Sequence, residues 1–552
     1  MALSSREALQ KHLKAMLPAA DLEGALGLVG IIRLLSGPYL IVITKASPVG
    51  RITVGDQGHI IHRVDRFEVV PFSRSMLHLT ENQIDINQRY LSMVDAVLKT
   101  PHFYYSYTYN LTRTVQHQIQ GQAKPDLHFI WNGHLLKEFE TKTYRHLDRF
   151  GLKLILGYIS INQIQLNGHK VNWVLISRRN VKRAGTRFNT RGCDYEGNVS
   201  NYVETEQIVG AEDKLASLVQ VRGSIPLVWN QSATLEYKPK PVLDQTCDQT
   251  IPMKKHFDEL SSLYGSISIV NLIDHSGHEG HLEQVFSDKV RYLSSNYYPI
   301  LYHSFDFHRE CSKMRWYRLE ILMHQIEEEL ALYNYFSMTN NVVTSTQKGI
   351  MRTNCIDSLD RTNVVQSMIA KLVLGKQLAQ FGVIVSQDHL DELVEFMHVF
   401  KSTWANHADD ISIQYAGTPA LKTDFTRTGK RTHLGALRDG INSLTRYYKN
   451  NFTDGFRQDS IDLFLGNYAI DPNEGLGKTS PLQRPKTLKQ LFLPPFFLGA
   501  ISLFFFFMLT SKQNGASQIF FFGTLLAFSL FLVFKNGTEL VDNPKLHHVK
   551  RR

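Results

Sequence analysis

Cysteine is scarce in this sequence, and the scarcity excludes two structural classes. Only four cysteines occur among 552 residues, namely Cys193, Cys247, Cys311 and Cys355. They are widely spaced and contain no C-x-x-C pair, which argues against a disulfide-rich scaffold and against a cysteine-based zinc module. A reducing, cytosolic environment is the simpler interpretation.

The first 22 residues lack the long apolar run of a secretory signal. Charged residues, among them Arg6, Lys11, Lys14 and Asp21, interrupt this segment. A cleaved signal peptide needs an uninterrupted apolar centre. We therefore expect most of the chain to stay in the cytosol.

Charge is absent from two stretches farther along the chain. Residues 491–509 and 516–534 each run for 19 residues without a charged side chain, which is long enough to cross a bilayer as an α-helix. We predict a hairpin of two transmembrane helices. Basic residues flank the hairpin on both outer sides, and only Lys512 lies between the spans. The positive-inside rule therefore places both termini, including a tail over residues 535–552, in the cytosol.

No internal repeat is visible, but the composition changes along the chain. Residues 1–180 predict a β-rich N-terminal subdomain, residues 181–465 an α/β catalytic subdomain richer in helix, and residues 466–490 a flexible linker rich in Pro, Gly, Lys and Thr. The predicted fold class is therefore mixed α+β. The individual elements we predict are strands at 128–131, 171–176, 215–221 and 225–229, and helices at 314–332, 363–379 and 389–404.

The formal net charge of +10 favours an anionic partner, which can be a nucleic acid, an acidic membrane surface or a phosphorylated substrate. Half of this charge falls between Lys422 and Lys449, a stretch that contains seven basic residues and two acidic ones. An anionic bilayer or a lipid headgroup would be attracted there, although a solvated basic surface is the alternative. No nucleic-acid-binding module accompanies the charge, so we expect no nucleic acid partner.

The segment RTNCIDSLDRTNVVQ, residues 352–366, has the pattern of a phosphate-binding loop that opens a helix. Cys355 and Arg361 are six positions apart. The backbone N–H groups of such a loop and the positive end of the helix dipole favour a phosphate and a thiolate. Cys355 is the predicted nucleophile and Arg361 the bidentate phosphate ligand. The chemistry needs neither a metal nor another cofactor. The remaining loop residues, expected to cradle the phosphate, are Asn354, Ile356, Ser358, Leu359 and Thr362.

Several residues keep a second interpretation. Cys355 could be an inert buried thiol, because a bare C-x5-R spacing arises readily by chance. Asp357 and Asp360 are both close enough to protonate the leaving group, or they could cap the loop backbone; we prefer Asp357 as the acid. Arg187, Arg191 and Asp194 are interpreted as turn and salt-bridge residues, and the three histidines at 275, 278 and 281 lack a zinc-site spacing.

The chain resembles the Sac-domain phosphoinositide phosphatases, in particular their two-span endoplasmic reticulum and Golgi branch. The resemblance covers nearly the whole region before the hairpin. It rests on the Cys355 loop and on GIIRLLSGPYLIVITK, FYYSYTYNLT, GNVSNYVETEQ, VRGSIPLVWNQ, DFHRECSKMRW and YAGTPALKTDFTRTGKRTH.

This resemblance implies a fold, a substrate and a location. The fold is an N-terminal Sac subdomain packed on a cysteine-phosphatase-like subdomain. The substrate is phosphatidylinositol 4-phosphate, with the 3-phosphate and the 3,5-bisphosphate as lesser substrates. The family roles carry over to Cys355 as nucleophile, Arg361 as phosphate ligand and Asp357 as acid. The location is the endoplasmic reticulum membrane with cycling to the Golgi, where membrane-contact-site and trafficking proteins are the expected partners. The ending HHVKRR departs from the dilysine-type retrieval signal of that branch.

The residues expected to contact the headgroup are Lys422, Arg427, Lys430 and Arg431. Two other functions remain open at this point. A protein tyrosine phosphatase would use the same loop, but its substrate needs no membrane hairpin. A noncatalytic phosphoinositide-binding tether would need no intact catalytic loop, whereas every catalytic position is present here.

Overall fold

The computed structural model describes residues 3–17, 22, 24–428, 432–510 and 516–546. Two predictions fall outside these ranges. They concern the headgroup contacts of Lys430 and Arg431, and the HHVKRR ending at residues 547–552.

The β-strands occupy mainly the first two thirds of the chain. Their bounds are β1 (Gly27–Leu34), β2 (Gly37–Val54), β3 (Gln57–Pro71), β4 (Phe103–Tyr105), β5 (Ile155–Leu166), β6 (His169–Arg179), β7 (Val203–Ala211), β8 (Lys214–Arg222), β9 (Trp229–Asn230), β10 (Val242–Leu243), β11 (Ser266–Asn271), β12 (Ile300–Ser304), β13 (Phe336–Thr339), β14 (Val342–Ser345) and β15 (Gly349–Asn354).

The α-helices become longer and more frequent towards the C-terminus. Their bounds are α1 (Leu3–Met16), α2 (Glu81–Leu98), α3 (Val115–Ile119), α4 (Gly133–Leu136), α5 (Thr250–Tyr264), α6 (Gly277–Asn296), α7 (Phe307–Glu310), α8 (Leu319–Gln325), α9 (Glu327–Tyr333), α10 (Asp360–Phe381), α11 (Val394–Ala416), α12 (Thr423–Thr428), α13 (His433–Phe452), α14 (Asp454–Phe464), α15 (Leu488–Thr510), α16 (Ala516–Lys535) and α17 (Gly537–Leu540).

One large sheet connects the two halves of the head, which is the part of the chain outside helices α15 and α16. Its strand order is β1-β2-β3-β4-β5-β6-β7-β8-β15-β11-β12, with β13 and β14 attached through β8. Strands β1 to β8 are antiparallel neighbours, whereas β8, β15, β11 and β12 run parallel. The mixed α+β class is therefore confirmed. Because the sheet continues from β6 to β7, the subdomain boundary near residue 180 divides a sheet and stays a prediction.

Tight turns make the antiparallel half possible. Asn167 and Gly168 join β5 to β6 with φ angles of 47° and 87°. Two successive positive φ values match the right-handed twist of a hairpin, and Asn-Gly adopts them at low cost. Side chains from both faces of the sheet then enter buried clusters.

The parallel half places three strand ends at one edge of the sheet. Strand β15 lies between β8 and β11. The carboxyl ends of parallel strands meet at the same edge, which is where open α/β sheets bind ligands. The residues that leave this edge are Arg222 from β8, Leu272 after β11 and Cys355 after β15.

Most predicted elements are present, and a few are not. The predicted strands at 171–176 and 215–221 lie within β6 and β8, and the helix at 363–379 lies within α10. Residues 128–131 are not a strand, because Leu127–Phe129 forms a 3₁₀ helix capped by Asp126. Only Trp229 of the predicted strand at 225–229 is extended. The predicted helix at 314–332 is broken into α8, α9 and two 3₁₀ turns.

The segment expected to be a flexible linker lies against helix α2. Asn82 Nδ2 donates a hydrogen bond to the carbonyl of Gly475 at 3.0 Å, and the Tyr90 hydroxyl donates to Glu474 at 2.7 Å. Ser480 Oγ donates to the same glutamate at 2.9 Å. Composition reports local preference only, so it did not predict these long-range contacts, and the flexibility of the segment stays a prediction.

Helices α15 and α16 pack as a hairpin and match the predicted transmembrane segments. The helices have mean hydropathies of 2.1 and 2.0, and only 6% of the apolar stretch of each helix is buried. Phe507 and Phe522 stack between them with ring centroids 4.4 Å apart. Their length and exposed apolar surface make both helices candidate membrane spans.

The chain returns to the head after α16. The backbone N–H groups of Lys545 and Leu546 donate to Asp459 at 2.8 and 2.9 Å. The Asp542 N–H donates to the carbonyl of Asn451 at 2.7 Å. Leu546 is buried in the same apolar cluster as Tyr90. The segment after the hairpin is therefore a structural part of the head.

Candidate active site

Cys355 follows the last residue of β15 and precedes helix α10 by four residues. Its side chain is almost fully buried. It lines a cavity of about 580 Å³ that the carboxyl edge of the parallel strands helps to form. The loop between Cys355 and Asp360 thus joins a central strand to a helix N-terminus, as the sequence pattern predicts.

Polar contacts from outside the loop hold its shape. Ser358 has a φ angle of 51°, a left-handed conformation that is unfavourable for a residue with a side chain. Its Oγ donates to the carbonyl of Gly223 at 2.7 Å. Asn201 Nδ2 donates to the carbonyls of Asp357 and Ser358 at 3.0 and 3.4 Å. These bonds offset the backbone strain at Ser358.

Two arginines clamp Asp357. Arg187 makes a bidentate pair with it, Nε to Oδ1 at 3.1 Å and Nη2 to Oδ2 at 2.8 Å. Arg191 Nη1 lies 2.6 Å from Oδ1 and also donates to the carbonyl of Ile356. Burial alone would raise the pKa of Asp357, but the charges and hydrogen bonds of Arg187 and Arg191 outweigh it, so the pKa is strongly lowered. This carboxylate stays ionised and anchors the loop.

Asp360 has a different environment. It is the first residue of α10 and faces the cavity, and its Oδ1 accepts a hydrogen bond from the Leu421 N–H at 3.0 Å. Burial raises its pKa, although the charge of Arg446 and the Leu421 hydrogen bond act in the opposite direction. The two loop carboxyls therefore have pKa values shifted in opposite directions.

Arg361 lies on the side of the loop away from Asp357. Its Nη1 donates to the carbonyl of Leu272 at 2.9 Å and to Asp274 at 3.1 Å, and it lies 3.4 Å from Glu279. Burial alone would lower the pKa of Arg361, but the charges of Cys355, Glu279 and Asp274 raise it. Its guanidinium is therefore cationic, and two carboxylates outside the loop occupy it.

A second buried arginine, Arg222, stands behind the loop. Its Nη2 donates to Asn363 at 3.1 Å, whereas its Nε and Nη1 have no hydrogen-bond partner among the described residues. Burial lowers the pKa of Arg222 to about 9, and the charges of Cys355 and Asp360 partly offset this shift. Arg222 places positive charge close to Cys355 and the first turn of α10.

The predicted phosphate-cradle residues do not all reach the cavity. Of the loop positions, all of which the structure describes, those that line it are Cys355, Ile356, Asp357, Asp360 and Arg361. Asn354 donates to Asn271, Leu359 packs against Tyr415 in a small cluster, and Thr362 is fully buried with an unpartnered hydroxyl. The backbone of Ser358 forms the turn of the loop, and its side chain does not line the cavity.

The residues of the basic stretch, Lys422 to Lys449, lie in different environments. Lys422 lines the cavity, and its backbone N–H donates to Asp439. Arg427 pairs with Asp409 at 3.1 Å and is not among the described residues that line the cavity. Arg446 is buried and lines the cavity, and it donates to Ser412, Thr418 and Pro419. Net charge alone could not distinguish these three environments.

Some site residues were missed or placed in a different role. Arg187 and Arg191 do form salt bridges, as expected, and their partner is Asp357 in the Cys355 loop. Lys238 lines the cavity from a segment without any motif, and Gln231 lines it from the end of the stretch VRGSIPLVWNQ. His308 Nδ1 lies 2.7 Å from Asp274, one of the carboxylates that hold Arg361. The signal for Arg187 was only its position in a polar, charge-dense segment.

Known proteins match the chain over most of its length. The family model described as the SacI homology domain matches residues 26–312. The phosphatidylinositol-3-phosphatase SAC1-B of Danio rerio is 41% identical over 96% of this chain and 91% of that protein. The phosphatidylinositol-3-phosphatase SAC1 of Drosophila melanogaster is 42% identical over 94% and 88%. The Saccharomyces cerevisiae protein of that name is 37% identical over 94% and 85%.

Proposed function

This chain belongs to the SacI homology family, and from that premise we propose that it is a phosphoinositide phosphatase whose nucleophile is Cys355. One observation carries the proposal. Cys355 opens a strand-to-helix loop at the edge of a parallel sheet, inside a cavity that Arg187, Arg191, Arg361 and Arg446 also line. Buried arginines around a cysteine suit a phosphate monoester better than a neutral substrate.

The reaction has two steps. The Cys355 thiolate attacks phosphorus, so an S–P bond forms and the bond from phosphorus to the inositol oxygen breaks. The inositol oxygen takes a proton from a carboxylic acid as it leaves. A water molecule then gives a proton to the resulting carboxylate and attacks phosphorus, which releases inorganic phosphate and restores the thiolate.

We assign the proton transfer to Asp360, although the sequence alone favoured Asp357. A general acid must be protonated before the leaving group departs, which requires a pKa that is not depressed. Arg187 and Arg191 lower the pKa of Asp357, whereas burial raises that of Asp360. Asp357 then serves as the anchor that positions the loop, and Asp360 as the acid and base.

Arg361 binds the phosphate after exchanging its present partners. A phosphate dianion presents oxygens that match the guanidinium fork, as a carboxylate does. Its two negative charges compete with Asp274 and Glu279, which hold the arginine at 3.1 and 3.4 Å. The transition state gains most from this contact because charge on the phosphoryl oxygens is then neutralised at short range.

The expected isomers are the 4-phosphate first, with the 3-phosphate and the 3,5-bisphosphate as lesser substrates. The names of the relatives specify a 3-phosphatase activity for those proteins. The arginine-rich cavity gives no reason to exclude either monophosphate. Comparison of initial rates on the two isomers would order them.

We further propose the endoplasmic reticulum membrane as the location, with both termini cytosolic and with membrane-contact-site and trafficking proteins as partners. Two candidate spans, α15 and α16, support a membrane protein. Protease protection of tagged termini in sealed microsomes would test the orientation. A terminus protected from external protease would contradict it.

The central test measures phosphate release from vesicles that contain phosphatidylinositol 4-phosphate or 3-phosphate. The full chain should release phosphate, and Cys355→Ser should not. Cys247→Ser, at a cysteine that does not line the cavity, is the matched control and should match the parent. Equal release by the parent and Cys355→Ser, or none by either, would refute the proposal. Faster turnover of a phosphotyrosine peptide than of either lipid would favour a protein phosphatase instead.

A further inference from the structure

Helix α13 presents an apolar stripe to solvent. Six of its large hydrophobic side chains recur at steps of three or four residues, and each is between 43% and 72% exposed: Leu434, Leu437, Ile441, Leu444, Tyr448 and Phe452. This spacing puts them on one face of an α-helix. A helix packed on a soluble core normally buries such a face, whereas α13 turns it outwards.

The opposite face of α13 belongs to the active site. Ser443, Arg446, Tyr447 and Asn450 line the cavity that contains Cys355. Arg446 is buried, and the Tyr447 hydroxyl donates to the carbonyl of Leu235 at 2.7 Å. The helix is therefore a wall with the catalytic cavity on one side and an exposed apolar stripe on the other.

The membrane anchor meets the head beside the end of this helix. The carbonyl of Asn451, at the C-terminal end of α13, accepts a hydrogen bond from the N–H of Asp542. Asp542 in turn accepts one from the N–H of Phe456 at 2.9 Å. Only six residues separate Asp542 from the last residue of α16. The C-terminal end of the stripe, at Phe452, thus lies next to the point where the candidate spans join the head.

The two outer ends of the hairpin are also tied together. Lys489 Nζ at the start of α15 pairs with Glu539 of α17 at 2.6 Å, and Gln490 Nε2 donates to the carbonyl of Glu539 at 2.5 Å. The head consequently cannot swing far from the spans without breaking these contacts and those of Asp542. These contacts keep the C-terminal end of α13 close to the outer ends of α15 and α16.

We propose that α13 is an interfacial helix whose stripe lies in the surface of the same bilayer that holds α15 and α16, an inference that rests on the proposed function. Interfacial helices sink about 5–10 Å into the headgroup region, and a helix with its side chains is about 10–12 Å across. The cavity-lining face of α13 then stands at the height of phosphorylated inositol headgroups. Arg438, exposed beside the stripe, adds a charge that favours anionic lipid.

The first test separates bilayer substrate from soluble substrate. The full chain carrying Leu437→Glu and Leu444→Glu is reconstituted in vesicles and compared with the parent and with Leu332→Glu. Leu332, on α9, is 71% exposed and Leu444 is 72% exposed, so the control matches the change in chemistry and exposure. We expect the double variant to hydrolyse phosphoinositide in the bilayer about tenfold more slowly, because charge expels the stripe from the interface.

The same proteins are assayed with a short-chain, water-soluble phosphoinositide. The double variant should match the parent there, because its cavity is intact, and Leu332→Glu should match the parent on both substrates. Unchanged bilayer activity in the double variant would overturn the inference. An equal loss on both substrates would also overturn it, since it would mean damage to the cavity wall.

A second readout does not depend on catalysis. Leu444→Trp and Leu332→Trp are each reconstituted with lipids that carry bromine on their acyl chains, and the fluorescence of the parent, with five native tryptophans, is subtracted. Bromine should quench the added signal of Leu444→Trp and leave that of Leu332→Trp unchanged. Equal quenching of both, or of neither, would contradict an interfacial α13. A parent inactive on both lipids would reject the proposed function while this measurement still decided the position of α13.

Discussion

The two sides of the Cys355 loop use the same interaction in opposite ways. On one side, Arg187 and Arg191 come from outside the loop and bind Asp357 within it. On the other side, the loop's own Arg361 binds Asp274 and Glu279 outside it. The first set of ion pairs fixes the loop backbone. The second set occupies the group that should hold the substrate.

This difference shows that the position of the carboxylate decides the effect of an ion pair between an arginine and a carboxylate. A carboxylate that the reaction does not need can stay paired throughout the catalytic cycle, so the Asp357 clamp can be strong. A carboxylate that occupies the proposed phosphate ligand must be exchangeable, and the 3.4 Å contacts of Glu279 are longer than those of Asp357. We expect four substitutions to test this contrast, in decreasing order of effect.

Arg361→Lys should have the largest effect. Lysine keeps the charge but loses the bidentate fork, so we expect kcat to fall by about 10³-fold. Steady-state rates on vesicles would measure the loss, and thermal unfolding in detergent would show an unchanged fold. A variant that keeps more than a tenth of the parent activity would mean that Arg361 does not bind the transferred phosphate.

Asp360→Asn should lower kcat on the inositol lipid by about 10²-fold, because the leaving alkoxide then lacks a proton donor. An aryl phosphate with an acidic phenol needs no such donor and should react at nearly the parent rate. Since Asp360 acts when protonated, parent activity on the lipid should fall as pH rises through its raised pKa. The variant should lose that limb of the pH profile. Equal losses on lipid and aryl phosphate would assign Asp360 a structural role.

Asp357→Asn should break the fixed side of the loop. It leaves Arg187 and Arg191 without their carboxylate, so we expect at least about a tenfold loss on lipid and aryl phosphate alike, since misplaced groups slow both reactions. The melting temperature should also fall.

The pH dependence of that melting temperature has a definite sign. Pairing lowers the pKa of Asp357 below its usual 3.8, so its stabilising contribution is present above that value and disappears only as pH falls through the lowered pKa. The difference between the parent and Asp357→Asn should therefore stay constant from pH 7 to about pH 5. A difference that shrinks across this range would contradict the clamp.

Glu279→Gln should have the smallest effect and the opposite direction. Removing one competing charge should release Arg361, lower KM and raise kcat/KM by about threefold, a size typical of partly exposed ion pairs. Glu283→Gln on the same helix α6, whose side chain contacts Tyr302 and Ser304, is the matched control. A fall in kcat/KM for Glu279→Gln alone would mean that Glu279 positions Arg361 for catalysis.

Sequence patterns predicted those features that depend on neighbours along the chain. The loop from Cys355 to Arg361, the helix after it and the two apolar helices are local, and each lies where expected. The clamp joins residues 166 or more positions apart, and hydrophobic periodicity contains no information about such pairs. The sequence favoured Asp357 over Asp360 as the acid, and only packing reveals that Asp357 meets two arginines and Asp360 the backbone of Leu421.

The same limit applies to the contacts of the linker segment and of the basic stretch. Pro, Gly and Lys near residue 475 suggest flexibility, yet the Glu474 carboxylate accepts hydrogen bonds from Tyr90, Tyr468 and Ser480. Arg446 and Arg427 contribute equally to net charge, but only Arg446 faces the cavity. Partners distant along the chain decide both cases.

The return of the chain from α16 to the head has a consequence for how the protein is made. Leu546 is buried with residues of α2 and β1 that leave the ribosome more than four hundred positions earlier. The two apolar helices leave the ribosome before Leu546 does. They therefore meet the insertion machinery while the apolar cluster of the head still lacks Leu546 and is partly uncovered. Completion of the head therefore follows the synthesis of both apolar helices. A chain whose hairpin fails to insert would keep this part of the cluster uncovered. Its exposed apolar surface would be available to chaperones and degradation enzymes.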